Sequence, residues 1–269
     1  MNNPITRGRA AALAFALGAA ILATPAIGAT DVTDIGSLDQ AALAALPSFQ
    51  AANKQLNDYG ANLQKQYVGR ARKASQTDQQ KLGNEFQGKM AEKQRQLFGP
   101  LFAKAQVAIA SVASSKNLSV VVDKRIVVVG GQDITSNVKD LLSSVGDPVP
   151  PVSTPPPSKV GYVDQAAIDQ TPKVKAVTDA FVKFKTDQDK VAADKLKGAK
   201  TDADRETILK DYRKTLDDKQ NQTLKPMVET TRGAISEVAK SKGLVLVVDK
   251  GNIVFGGTDI TKDVTEKLK

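Results

Sequence analysis

The stretch VVVDKRIVVVGGQDIT (Val120 to Thr135) returns as VVDKGNIVFGGTDIT (Val247 to Thr261). This repetition constrains the fold more than any other feature, because whatever unit the chain builds, it builds twice. At an offset of 126, Leu118 matches Leu244, Asp123 matches Asp249, Gly130-Gly131 matches Gly256-Gly257, and Asp133-Ile134-Thr135 matches Asp259-Ile260-Thr261. Pro100, Ile109, Val112-Ala113 and Lys116 match Pro226, Ile235, Val238-Ala239 and Lys242. Nearer the front the offset is 125, where IGSLDQAAL (Ile35 to Leu43) aligns with VGYVDQAAI (Val160 to Ile168) and Pro47 with Pro172. Each copy is about 110 residues, one domain-sized unit.

Between the copies lies GDPVPPVSTPPPS (Gly146 to Ser158), with six of the 12 prolines. Such a segment favours extended polyproline II and spans roughly 40 Å. At the other end, Arg7 and Arg9 precede an apolar run, Ala10 to Ala23, and Ala26-Ile27-Gly28 supplies small residues. That is the pattern of a cleaved export signal; a membrane span needs about 18 or more apolar residues. No later segment reads as apolar enough to span. The expected division is 1–28 signal peptide, 29–145 first unit, 146–158 linker and 159–269 second unit.

Within each unit a short strand (Ile35 to Leu38, Val160 to Val163) precedes a long helix. Its apolar positions are Phe49, Leu56, Tyr59, Leu63 and Tyr67 in copy one, and Val174, Val177, Phe181, Phe184 and Val191 in copy two. The spacing gives one narrow apolar stripe. Thr171 suits the cap and Pro172 the first helical position. Copy one has Leu46-Pro47 there, so its arm is expected to be the looser. After a polar break, Thr77 and Thr201 are expected caps of a return helix. That helix carries Leu82, Phe86, Met90, Leu97 and Leu101, or Ile208, Tyr212, Leu216, Leu224 and Met227. Two striped helices joined by a polar turn predict an antiparallel helical hairpin. A return helix of about 40 residues is roughly 60 Å long. Pro100 and Pro226 fall inside it and predict a kink.

The repeated motif then predicts two strands, Leu118 to Asp123 and Ile126 to Gly130, joined as a hairpin, with Asp249-Lys250-Gly251-Asn252 as the corresponding turn. Gly-Gly permits positive φ, and a short helix follows with Thr135 or Thr261 as cap. The fold class is α+β: each repeat is a long helical hairpin on a small sheet of about three short strands, plus a C-terminal short helix. Three short strands do not close a sheet, and their edges invite pairing with other copies.

The chain has no Cys, no His and no Trp, and aromatics make up 4%. This removes disulfides, thiolate chemistry and the commonest general base and zinc ligand. Gly-Gly before a helix could present amides to an anion, but neither GxxxxGK[ST] nor GxGxxG is present. Asp123 and Asp249 sit at a turn, where Asp bonds its own backbone. No acid–base pair or metal set can be named, so no enzyme, cofactor or catalytic residue is expected. Net charge is +9, or +7 without Arg7 and Arg9. It is spread over both copies: 14 basic against 9 acidic residues in 33–144, and 22 against 18 in 159–269. Such a surface attracts polyanions; for an exported chain these are anionic lipid or glycolipid rather than nucleic acid.

VGYVDQAAIDQTP, the Pro226 to Gly243 segment and the VVDK-IV-GG-DIT ending resemble the Skp/OmpH family of periplasmic chaperones, and IGSLDQAAL with VVVDK-VVGGQDIT repeats the resemblance in copy one. The resemblance implies trimers in which strands build a central body and helical tentacles surround a cavity. It implies a holdase that needs no ATP and holds unfolded outer-membrane proteins. The arm residues that would touch clients are Phe49, Tyr59, Leu63, Tyr67, Phe86, Met90, Phe181, Phe184, Val191, Ile208, Tyr212 and Leu216. The usual family member carries one unit per chain. Here two units could pair within one chain, form two stacked bodies, or mix between chains. An envelope scaffold with long arms, or a binder of anionic lipid or glycolipid, is the alternative reading.

Overall fold

The computed structural model describes residues 34–72, 74–144, 146–151 and 155–269. The expected signal segment, 1–28, lies outside the described residues. Unit one runs β1 (Ile35–Leu38), α1 (Gln40–Ala44), α2 (Pro47–Ala71), α3 (Gln76–Ser115), β2 (Val120–Asp123), β3 (Gln132–Asp133) and α4 (Thr135–Ser143). Unit two runs β4 (Val160–Val163), α5 (Gln165–Asp169), α6 (Pro172–Gly198), α7 (Asp202–Ser241), β5 (Leu246–Asp249), β6 (Ile253–Gly256), β7 (Thr258–Asp259) and α8 (Thr261–Lys267). The architecture is α+β, with long helices dominant and small sheets beneath them.

The long helices pack as pairs, α2 with α3 and α6 with α7. Both return helices have 40 residues and run unbroken through Pro100 and Pro226. Their ends follow local chemistry. Asn117 (φ 54°) and Gly243 (φ 65°) take left-handed conformations just past the ends of α3 and α7. The amides of Leu118 and Leu244 then reach back to the carbonyls of Ala113 and Ala239, both at 2.9 Å, satisfying carbonyls that the helix leaves open. At the other end of α7, Thr201 and Asp204 form the reciprocal capping box the sequence suggests. For α3 the cap is Ser75, two residues ahead of the expected Thr77: its hydroxyl accepts from the Asp78 amide. Thr171 stands at the cap position of α6 without capping it, because its hydroxyl donates back to the Ile168 carbonyl at 2.8 Å.

The helix α3 contains an 18-residue window of mean hydropathy 1.3, long and apolar enough to cross a membrane, contrary to the sequence reading. A third of that window is buried within the chain. Its apolar side chains, Phe98, Ala105, Ala108, Ile109 and Val112 among them, form the core of unit one with Phe49, Leu118, Val121 and Val138.

In each unit the helical hairpin is the crossover that parallel strands require. β1 lies between β2 and β3, parallel to both; β4 lies likewise between β5 and β7. The predicted β-hairpin is absent. A two-residue hairpin turn needs positive φ at its central residues. Neither Gly251 nor Asn252 has it, and residues Lys250–Asn252 instead make a 3-10 turn, as do Lys124–Ile126 in unit one. The strand leaving that turn in unit two, β6, does not return to β5. It pairs antiparallel with β2 of unit one, Val120 opposite Gly256, Val121 opposite Phe255 and Val122 opposite Ile253. The sheets are thus ordered β3-β1-β2-β6 and β5-β4-β7, and the two units join within one chain.

A third apolar cluster seals this junction. Val120, Val122 and Val160 are buried together, with Ile35, Leu246 and Ile253 packed against them. Residues 146–151 do not stand clear as a spacer. Lys104 donates to the Gly146 carbonyl and pairs with Asp147 at 3.6 Å, while Ser111 donates to the Val149 carbonyl. Ser158 then bonds Ser119 at 3.1 Å, which brings the start of unit two against β2.

Candidate functional site: arms on a shared strand body

The repeated motif is a structural clasp. All four of its glycines have positive φ, between 67° and 86°. Asp133 and Asp259 each accept the amide of the threonine two residues on, at 2.9 Å in both units. Those threonines do not cap the closing helices as expected. Their hydroxyls instead accept from the amides of Asp39 (3.0 Å) and Asp164 (2.9 Å). Each unit's last helix is thereby tied to the end of its first strand.

The earlier aspartates bond their own backbone as read from the sequence: Asp123 accepts from the Arg125 amide and Asp249 from the Gly251 amide. Asp123 is fully buried. The Arg125 guanidinium grips its carboxylate, Nη2 to Oδ2 at 2.8 Å, and Gln40 donates at 2.9 Å. Arg125 chiefly, with Gln40 assisting, holds the Asp123 carboxyl below its ordinary range against the opposing effect of burial. Lys124, with help from Thr135, lowers Asp133 to about 2. Because both folded values lie below the ordinary 3.8, the stabilisation is present above that pH and is lost as pH falls through the folded values. Urea midpoints should therefore decline from about pH 4 towards pH 2, and Asp123→Asn should flatten that decline. An unchanged acid slope in the variant would remove Asp123 from the account.

The arms differ in how they are stitched. In arm one the seam is aromatic and apolar. Phe49, Phe98 and Phe102 cluster at the base, with ring centroids 5.8–6.5 Å apart. Farther out, Leu63 and Tyr67 are buried, Tyr67 meets Phe86 edge-on at 5.7 Å, and Arg70 lies over the Tyr67 ring at 5.1 Å. Gly60 faces Met90, and Lys93 lies over Tyr59. In arm two no residue beyond Phe181 on α6 or before Leu224 on α7 is buried. Its outer seam is polar: Tyr212 donates to Asp189, which pairs with Lys185 at 2.8 Å, and Lys219 lies over Phe184. The better cap expected for the second arm is absent, since neither Leu46 nor Thr171 caps its helix with a side-chain hydrogen bond, and the first arm's seam buries more of its apolar side chains.

This seam accounts for where the expected client-contact residues lie. Phe49, Leu63, Tyr67 and Phe181 are buried. Tyr59, Phe86, Met90, Phe184, Ile208, Tyr212 and Leu216 are half-buried, and Val191 is exposed. The other large apolar side chains that face solvent on the arms are Val68, Phe102, Val182 and Leu209. Each directly follows an apolar stripe residue: Tyr67, Leu101, Phe181 and Ile208. One residue is about 100° of helix, which turns Val68, Val182 and Leu209 out of the seam; Phe102 is exposed while its ring still meets Phe49, and Phe98, which follows Leu97, stays buried. The doublets YV, FV and IL carried a readable signal, whereas LF did not, because Leu97-Phe98 turns inward and Leu101-Phe102 outward.

The family described as outer membrane protein (OmpH-like) matches residues 50–142 and again residues 159–268. No curated protein and no solved structure matches the chain. The second matched region contains its helical pair and all the strands beneath it; the first contains nearly all of its helical pair with β2 and β3, and begins after β1. The chain belongs to the OmpH-like family of periplasmic chaperones, a family of binding proteins and not of enzymes, and carries its unit twice.

Proposed function

We propose that the protein is an ATP-independent holdase that keeps unfolded outer-membrane proteins from aggregating in the periplasm, and that it assembles through its strand body. Family membership over both units supports this. The observation that carries it is the set of apolar side chains left in solvent across the arms: Val68, Phe102, Val182, Val191 and Leu209. Scattered apolar contacts on long arms hold a non-native chain weakly and in many ways, which is how a promiscuous binder works. Of the arm residues named from the sequence, Val191 is accessible as it stands. The half-buried ones become accessible with side-chain rotation, and the buried ones contribute by setting the arm's shape. The unit boundaries proposed for this activity are 29–145 and 159–269.

The test is dilution of an urea-unfolded β-barrel protein into buffer, followed by light scattering. Purified protein at a several-fold molar excess should suppress scattering equally with and without ATP. Scattering that proceeds unchanged would falsify the proposal. A stable complex with a folded envelope partner and none with unfolded clients would favour a scaffold instead.

A further inference from the structure

One face of the return helix is shielded in unit one and bare in unit two. Lys104, Val107, Ser111 and Ser114 follow helical spacing along α3, and all are half-buried. Their counterparts on α7, Thr230, Gly233, Glu237 and Lys240, are all exposed. The chemistry differs too. Glu237 pairs with Lys267 of α8 at 2.7 Å, whereas the equivalent positions in unit one hold Ser111 and Leu141. The linker lies on the α3 face: Lys104 donates to the Gly146 carbonyl at 3.1 Å, and Ser111 donates to the Val149 carbonyl. Pro148, between those carbonyls, is buried; Val149 and Pro150 are exposed, and Pro151 is half-buried. That is a polyproline II chain of about three residues per turn with one side seated and the others in water.

We propose that this face of α3 is a seat for extended apolar peptide segments of unfolded clients, and that residues 146–151 occupy it as a tethered competitor. The inference rests on the holdase reading above and adds to it a site and a means of control. The present occupant shows what the seat accepts. Polyproline II has no internal hydrogen bonds, so its carbonyls are free for outside donors. Both donors here, the Lys104 ammonium and the Ser111 hydroxyl, address main-chain carbonyls, and a small apolar ring is buried between them. Main-chain carbonyls recur in every peptide, so the arrangement suits a binder of many unfolded chains. The strap is also weakly held. The ion pair of Lys104 with Asp147, at 3.6 Å, leaves Asp147 almost fully exposed, and such pairs contribute little. The units stay joined without the strap, through β2 and β6 and the Val120, Val122 and Val160 cluster. The strap therefore leaves its seat with the body intact.

Pro148→Asp with Pro151→Asp places charges where the strap is seated and releases it in the full-length chain. The protein has no Trp, so a synthetic peptide of residues 146–151 carrying one added Trp reports its own binding by fluorescence. A short tether supplies an effective concentration of roughly millimolar. Taking the strap as seated about nine-tenths of the time, the released chain should bind the peptide with a Kd of about 0.1 mM, and the wild type about tenfold more weakly. In the aggregation assay, the released chain should reach half-suppression at about a tenth of the wild-type concentration. Adding Ser111→Glu, the residue unit two carries at this place, should cancel both gains with an unchanged circular dichroism spectrum. Peptide binding that is equal in wild type and released chain, absent from both, or retained after Ser111→Glu overturns the proposal. So does a released chain that suppresses aggregation no better than an active wild type. Where neither chain suppresses aggregation, the holdase reading fails instead, and the peptide titration alone decides the seat.

Discussion

Gly256→Ala should lower the stability of the protein by about 3 kcal/mol or more. A Cβ at this position would lie 2.2 Å from the Ser119 carbonyl oxygen and 3.1 Å from its carbon, and both are backbone atoms that no side-chain rotation can move aside. The residue also has φ +67°, which costs an L-residue roughly 1–2 kcal/mol by itself. The alanine must push β6 away from β2, opening the junction that joins the units. Gly130→Ala is the natural control. Gly130 has φ +86° and nothing within 4 Å of the added Cβ, so it carries the conformational cost without the collision. Urea unfolding of both variants separates the two contributions. Equal losses would show that β6 does not pack against β2 at this point.

Leu118→Ala should cost about 3–4 kcal/mol, within the range for truncating a fully buried leucine. Leu118 is completely inaccessible and packs in the core of unit one, against the strand β1 and helix α3. Its counterpart Leu244 only borders the core of unit two and is partly exposed, so Leu244→Ala should cost distinctly less, about 1–2 kcal/mol. The two leucines follow helices with the same ending and precede strands of the same kind. The difference expected between them measures what the added strand β6 does for the unit that receives it.

Much of this fold is written locally, and those parts are legible. The Gly-Gly turns, the Thr201–Asp204 capping box, the apolar stripe of each long helix and the self-bonded Asp123 and Asp249 each depend on residues a few positions apart. The strand partners were not legible, for a physical reason. Ile253 to Gly256 is an apolar, β-branched run that would read the same whether it paired with β5 seven residues upstream or with β2 in the other unit. The choice rests on turn geometry at Lys250–Asn252 and on burial around Val120, Val122 and Val160, neither of which has a sequence period. The arm residues show the same limit. A helical stripe marks the face that meets the partner helix, so it names Phe49, Leu63, Tyr67 and Phe181, which the seam buries. The surface left to solvent lies one residue away, at Val68, Phe102, Val182 and Leu209.

The strand that completes the first sheet comes from residues 253–256 of a chain of 269. Val122 and Ile253, paired across that sheet, are separated by 131 positions. A chain made from its N-terminus completes the first helical hairpin long before this contact exists, and the second, which ends at Ser241, shortly before Ile253 is added. Closure of a loop that long is the slow event in folding. Until nearly the last residue is available, β2 stands as an uncovered apolar edge. The order of synthesis therefore sets the order of assembly: arms first, the joint body last.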